Sequence, residues 1–146
     1  MIGAFTLSEL ASELGLSVTL SALRKDATFS TVTTDSRNMS AGDLYVALKG
    51  ERFNGDEFVE EALTKGAVAA VTHQSDARAD AQRLVVDDTL SALATLARLN
   101  RDRSSAKVIA LTGSQGKTSV KEMIGSILKA KAPTLITAEN LNNTIG

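Results

Sequence analysis

The chain has 146 residues, with 16 Lys and Arg against 17 Asp and Glu, for a formal charge of −1. That balance exerts no global pull toward nucleic acid or an anionic membrane. No Cys and a single His, His73, exclude disulfide scaffolds, thiol catalysis and multi-histidine metal sites.

Thr6 and Glu9 have the spacing of a capping box, and Leu7, Leu10, Ala11 and Leu14 follow at helical intervals up to Gly15. Residues 29–34 are rich in Thr, Val and Phe and read as a strand. Turn-forming clusters occupy 35–38 and 40–43. The apolar run 44–48 reads as a strand buried on both faces. A polar loop over 50–56 leads to a helix over 58–65, closed by Gly66. A buried strand is expected over 67–71, a polar loop over 73–82 and a short strand over 84–86. Asp88 is placed to cap a helix carrying Leu90, Leu93, Ala94, Ala97 and Leu99. Arg101 to Ser105 reads as a connector. Residues 108–111 are expected as a buried strand and 119–130 as an amphipathic helix, with a further strand at 135–136. Strands alternating with helices predict an α/β architecture with mostly parallel strands. No basic n-region with an apolar core opens the chain. The most apolar window, 66–71, falls far short of the ~20 residues of a membrane helix. A soluble cytoplasmic monomer without nucleic-acid or membrane partners is expected.

The sharpest motif is Leu111-Thr112-Gly113-Ser114-Gln115-Gly116-Lys117-Thr118-Ser119. It follows an apolar strand pattern and opens a helix pattern, the context a phosphate-binding loop requires. Glycines let backbone N–H groups approach phosphate oxygens, and the helix N-terminus adds partial positive charge. Lys117 can reach terminal phosphates and the Thr118 hydroxyl can ligate Mg²⁺. The first glycine is Gly113, so the loop is shorter than the standard Walker pattern. A purely structural turn with an exposed lysine is the alternative.

Two other regions carry chemistry. Thr33-Thr34-Asp35-Ser36-Arg37 gathers hydroxyls, a carboxylate and a guanidinium at an expected strand end, where open α/β sheets bind ligands. On composition alone such a segment is more often a solvated turn. Lys49-Gly50-Glu51-Arg52-Phe53-Asn54-Gly55 offers two cations, an aromatic ring and flanking glycines, and also reads as an ordinary loop. His73 is expected to be exposed and inert, and Lys121 and Glu122 to lie on a solvated helix face.

These segments, together with Gly42-Asp43-Leu44-Tyr45-Val46-Ala47-Leu48 and Asn140-Leu141-Asn142-Asn143-Thr144-Ile145-Gly146, resemble the N-terminal part of the Mur ligases. That family forms amide bonds with ATP during peptidoglycan assembly. The Leu48 to Phe53 segment, Lys121-Glu122-Met123 and the closing Asn cluster fit one branch best. It adds D-alanyl-D-alanine to UDP-N-acetylmuramoyl-tripeptide, whereas a neighbouring branch adds the third residue.

The resemblance implies a small α/β substrate domain over 1–86, followed over 87–146 by the start of a P-loop ATPase domain. It implies that Thr34, Ser36, Arg37, Lys49, Gly50, Arg52, Phe53, Asn54 and Gly55 hold the UDP end. Thr112, Gly113, Ser114, Gln115, Gly116, Lys117 and Thr118 would hold ATP, with Lys117 catalytic and Thr118 on Mg²⁺. Asn140, Asn142 and Asn143 would lie near the reacting phosphate. The family pattern suggests His after Gly55, where this chain has Asp56. On this reading the chain stops partway through its second domain, and these 146 residues alone are inactive. A non-catalytic UDP- or phosphate-binding fragment and a small P-loop NTPase are the other readings.

Overall fold

A computed structural model describes residues 4–16, 27–50, 53–73 and 82–137. The chain forms two compact units, Met1–Ser104 and Ser105–Gly146. The first unit extends past the division expected after residue 86. Helix α3 (Thr89–Asp102) commits Ala92 and Leu96 to its core.

The first unit begins with β1 (Phe5–Thr6) and α1 (Leu7–Glu13). The capping box forms as expected: Glu9 N–H donates to Thr6 Oγ1 (3.1 Å), and Thr6 N–H donates to Glu9 Oε2 (2.8 Å). The strand expected over 29–34 is two strands. β2 (Thr28–Phe29) pairs antiparallel with β1, while β3 (Val32–Thr33) enters a different sheet. A bend at Ser30 lets Phe29 stack on Phe5 at 5.8 Å while Val32 turns to the main sheet.

That main sheet has the order β3-β4-β5-β6, with β4 (Leu44–Val46), β5 (Ala69–Thr72) and β6 (Arg83–Val85). Every pairing is parallel, with Leu44 opposite Ala69 and Val71 opposite Leu84. Parallel strands need covering on both faces, and the alternation of side chains supplies two cores. Leu44, Val46, Ala69, Val71 and Leu84 face α1 and α3. Tyr45, Ala47 and Ala70 face α2 (Val59–Thr64), through Val59 and Ala62. A 3₁₀ turn, Gly55–Phe58, leads into α2. Asp88 caps α3, accepting from Leu90 N–H at 2.9 Å. The helix runs on through Arg101, where the sequence predicts a connector. Arg103 closes it: its guanidinium lies 3.9 Å over the Phe5 ring and donates to Glu9 Oε1 and to the Ala4 carbonyl.

The second unit carries α4 (Lys117–Lys129). Residues 108–111 and 135–136, expected as strands, are not strands. Val108 and Ile109 are exposed, and Leu135 is 99% exposed. A strand needs a neighbour's N–H and C=O groups, and among the described residues no strand pairs with these segments. Ile136 instead packs on Gly125, the buried residue of α4, where a Cβ would overlap its side chain. Among the described residues no helix is long and apolar enough to cross a membrane.

Candidate functional site

In the first unit the exits of the parallel strands all lie on one edge of the sheet, which is where open α/β sheets take their ligands. At the end of β3, Thr33 Oγ1 accepts the Asp35 N–H at 3.1 Å. Asp35 then organises the turn that follows. Its Oδ1 accepts the Arg37 N–H (3.0 Å) and Nε–H (2.9 Å), and its Oδ2 accepts from Nη2 at 2.8 Å. Ser36 is buried and Thr34 half-buried, while the Arg37 side chain is 83% exposed. The guanidinium expected to meet a phosphate is thus presented at the surface in a fork held by Asp35.

Those hydrogen bonds from Arg37 lower the Asp35 carboxyl to about 2, against an ordinary 3.8. A depressed carboxyl stabilises the folded turn above its unfolded value and loses that contribution as pH falls through the folded one. The fork is therefore expected to persist at pH 3 and open near pH 2. An NMR titration of the Asp35 carboxyl checks this, and a midpoint near 4 would contradict the geometry.

At the end of β4 the chain makes a tight loop. Lys49 bridges to Asn54, Gly50 N–H donates to Phe53 O at 2.8 Å, and Gly55 N–H returns to Leu48 O at 2.8 Å. Tyr45, fully buried, donates its hydroxyl to Gly55 O at 3.0 Å. Burial, followed by the carboxylates of Asp56, Asp35 and Glu61, pushes that phenol up to about 12, so it stays a donor. Phe53 is half-exposed and stacks on Phe58 with centroids 5.5 Å apart. Lys49 and Gly50 are exposed and Asn54 half-buried. Arg52 lies outside the described residues. The structure thus brings the 34–37 turn, with Lys49, Gly50 and residues 53–55, to the exits of neighbouring strands.

Asp56, standing where the family pattern suggests His, faces inward. Its Oδ1 accepts from Thr72 Oγ1 (2.6 Å) and His73 N–H (3.1 Å). Its side chain is only 4% exposed, and its Oδ2 lies 3.5 Å from His73 Nδ1. The pair closes the end of β5. His73 is therefore partly buried, with 27% side-chain exposure, rather than free in solvent as expected. The sequence signal for this role is the hydroxyl of Thr72 at the end of an otherwise apolar strand.

In the second unit, α4 starts at Lys117 with no side-chain cap. Gly113 (φ 149°) and Gly116 (φ 76°) take backbone angles that side chains disfavour. Thr112, Ser114, Gln115 and Thr118 are exposed around them, and the Lys117 ammonium folds back to donate to the Gly113 carbonyl. An uncapped helix N-terminus with an adjacent ammonium fits an oxyanion. Lys121 and Glu122 pair with each other at 3.4 Å, and Lys121 also donates to Thr137 O. Among the described residues, no group of three or more His, Cys, Asp or Glu is placed to hold a metal. A hydroxyl such as that of Thr118, completed by phosphate oxygens and water, is an ordinary Mg²⁺ setting. Asn140, Asn142 and Asn143 lie outside the described residues.

Two family models match in series: the Mur ligase family catalytic domain over residues 28–101 and the Mur ligase middle domain over 111–146. The UDP-N-acetylmuramoyl-tripeptide–D-alanyl-D-alanine ligase of Escherichia coli K12 is 48% identical over 121 residues. That match covers 83% of this chain and 26% of the ligase. The same enzyme from Bacillus subtilis is 40% identical over 117 residues, covering 79% and 26%. A crystal structure of MurF from Acinetobacter baumannii superposes with a TM-score of 0.82 at 39% identity, covering 99% of this chain and 32% of that one. MurF from Thermotoga maritima, crystallised with ADP, gives 0.64 at 36% identity, covering 69% and 23%. The chain spans about a quarter of the length of the curated relatives it matches. With both family models matched in order along the α/β sheet and the glycine loop, the chain belongs to the Mur ligase family.

Proposed function

We propose that the chain supplies the nucleotide-peptide-holding unit and the phosphate loop of an ATP-dependent ligase. That ligase joins D-alanyl-D-alanine to UDP-N-acetylmuramoyl-tripeptide in the cytoplasm, as a step of peptidoglycan synthesis. The observation that carries the reading is the uncapped N-terminus of α4, wrapped by Gly113 and Gly116 with Lys117 folded over it. Relatives named for this reaction, and one relative crystallised with ADP, support it.

On this reading residues 1–104 hold the UDP end through Thr34, Ser36, Arg37 and the loop from Lys49 to Gly55, Arg52 included. Residues 105–146 hold ATP through Thr112 to Thr118. The tripeptide carboxylate attacks the γ-phosphorus, the bond to the β-phosphate oxygen breaks, and an acyl phosphate forms. The amine of D-alanyl-D-alanine then attacks the acyl carbon and phosphate leaves. Mg²⁺, when bound, neutralises phosphate charge. The chain's own part is positioning and charge neutralisation. Lys117 meets the terminal phosphates, Thr118 offers its hydroxyl to the metal, and Asn140, Asn142 and Asn143 lie toward the reacting phosphate.

Calorimetry tests the two halves separately. UDP-N-acetylmuramoyl-tripeptide and MgATP are each expected to bind the 146-residue polypeptide, without competing. Binding of neither would overturn the reading. The same polypeptide is expected to release no phosphate in response to both peptide substrates together.

A further inference from the structure

The turn that follows β3 is held from outside as well as by Asp35. Lys65, immediately after α2, reaches back 29 residues and donates its ammonium to the Ser36 carbonyl at 2.9 Å. The same ammonium is paired with Glu61 one helical turn earlier, at 2.6 Å. Within the turn itself, the Asn38 N–H bonds to Asp35 O and the Arg37 N–H to the Asp35 carboxylate. The Ser36 carbonyl is held by the distant lysine. Gly66 follows at φ 97°, with its carbonyl accepting the Gly42 N–H at 2.8 Å. The end of α2 is thereby fixed to the chain entering β4, and Lys65 reaches the turn from a rigid base.

We infer that Lys65 is a positioning residue for the UDP end of the substrate, setting the Ser36–Arg37 turn in its binding shape before the ligand arrives. The inference rests on the proposed role of that turn. Its physical content is preorganisation. A turn that must be ordered on binding loses conformational freedom at that moment, and one already tied down does not. Glu61 is half-exposed, so its ion pair with Lys65 contributes little by itself and serves to aim the ammonium.

Lys65→Met keeps the aliphatic stem and removes the donors. With UDP-N-acetylmuramoyl-tripeptide as the probe, its Kd is expected to rise about 10-fold over the parent chain. Lys65→Arg, which retains N–H donors, should recover most of the loss. Amide hydrogen exchange at Arg37 and Asn38 is expected to speed up in Lys65→Met, and less so in Glu61→Gln. These amides report on the turn without any ligand. Glu61→Gln alters an exposed side chain, so the measurement survives if Lys65→Met fails to fold. Unchanged exchange in the folded variants, or an unchanged Kd in Lys65→Met, overturns the inference. Failure of the parent chain to bind the nucleotide would instead overturn the proposed role of the turn, while faster exchange would still place Lys65 as its tether.

Discussion

Replacing Gly55 with alanine is expected to cost the first unit on the order of 3 kcal/mol, the upper end for overpacking a site that cannot relax. A Cβ at position 55 would lie 2.7 Å from Leu48 O and 2.8 Å from both Ala47 C and Leu48 N. All three are backbone atoms at the exit of β4, so no rotamer change makes room. Moving that backbone would break the Gly55 N–H bond to Leu48 O and separate Tyr45 from the carbonyl that receives its hydroxyl. At about 4–8 °C per kcal/mol for a unit near 100 residues, the loss is readily seen in a thermal melt. Binding of UDP-N-acetylmuramoyl-tripeptide should fall with it, because Lys49, Gly50, Phe53 and Asn54 hang on the same closure. Gly50→Ala is the control. There a Cβ would meet only the Phe53 carbonyl at 4.0 Å, and the change should stay within about 0.5 kcal/mol. Equal melting of the two variants would rule out the proposed closure.

The second large effect is on nucleotide affinity. Lys117→Met should weaken ATP binding by about 10- to 150-fold, the equivalent of the ~1.5–3 kcal/mol carried by hydrogen bonds to a charged group. The ammonium already lies over the loop on the Gly113 carbonyl. It needs only to exchange that neutral acceptor for a phosphate oxygen. The substitution removes no buried contact, because Lys117 is half-exposed at the start of α4. Stability should therefore stay near the parent value while affinity falls. Calorimetry with MgATP separates the two, and undiminished affinity would reduce the glycine loop to a structural turn.

Much of the first unit is legible because the signals are local. Thr6 and Glu9 cap α1, Asp88 caps α3, and the apolar runs at 44–48 and 67–71 contain buried parallel strands. What escapes the sequence depends on partners far along the chain. Nothing at Ser30 announces that residues 29–34 serve two sheets, since both halves favour extended backbone equally. The run 108–111 has the composition of a buried strand, but composition cannot supply the neighbouring strand that burial requires. The site divides in the same way. Turn-forming residues reveal the strand-exit loops, and glycine spacing reveals the phosphate loop. The inward carboxylate of Asp56 and the reach of Lys65 depend on pairings 16 and 29 residues apart, which no local pattern encodes.

The Glu9 carboxylate has a consequence for how the first unit comes together. One oxygen completes the cap of α1, and the other receives Arg103, 94 residues later. Arg103 also covers Phe5 and binds the Ala4 carbonyl, so the opening segment is sealed by the residue just after α3. Closing so long a loop is entropically costly and comes late. During synthesis Phe29 can stack on Phe5 early, but the cover that Arg103 gives that ring waits until α3 has emerged. Until then Glu9 caps α1 without its distant partner.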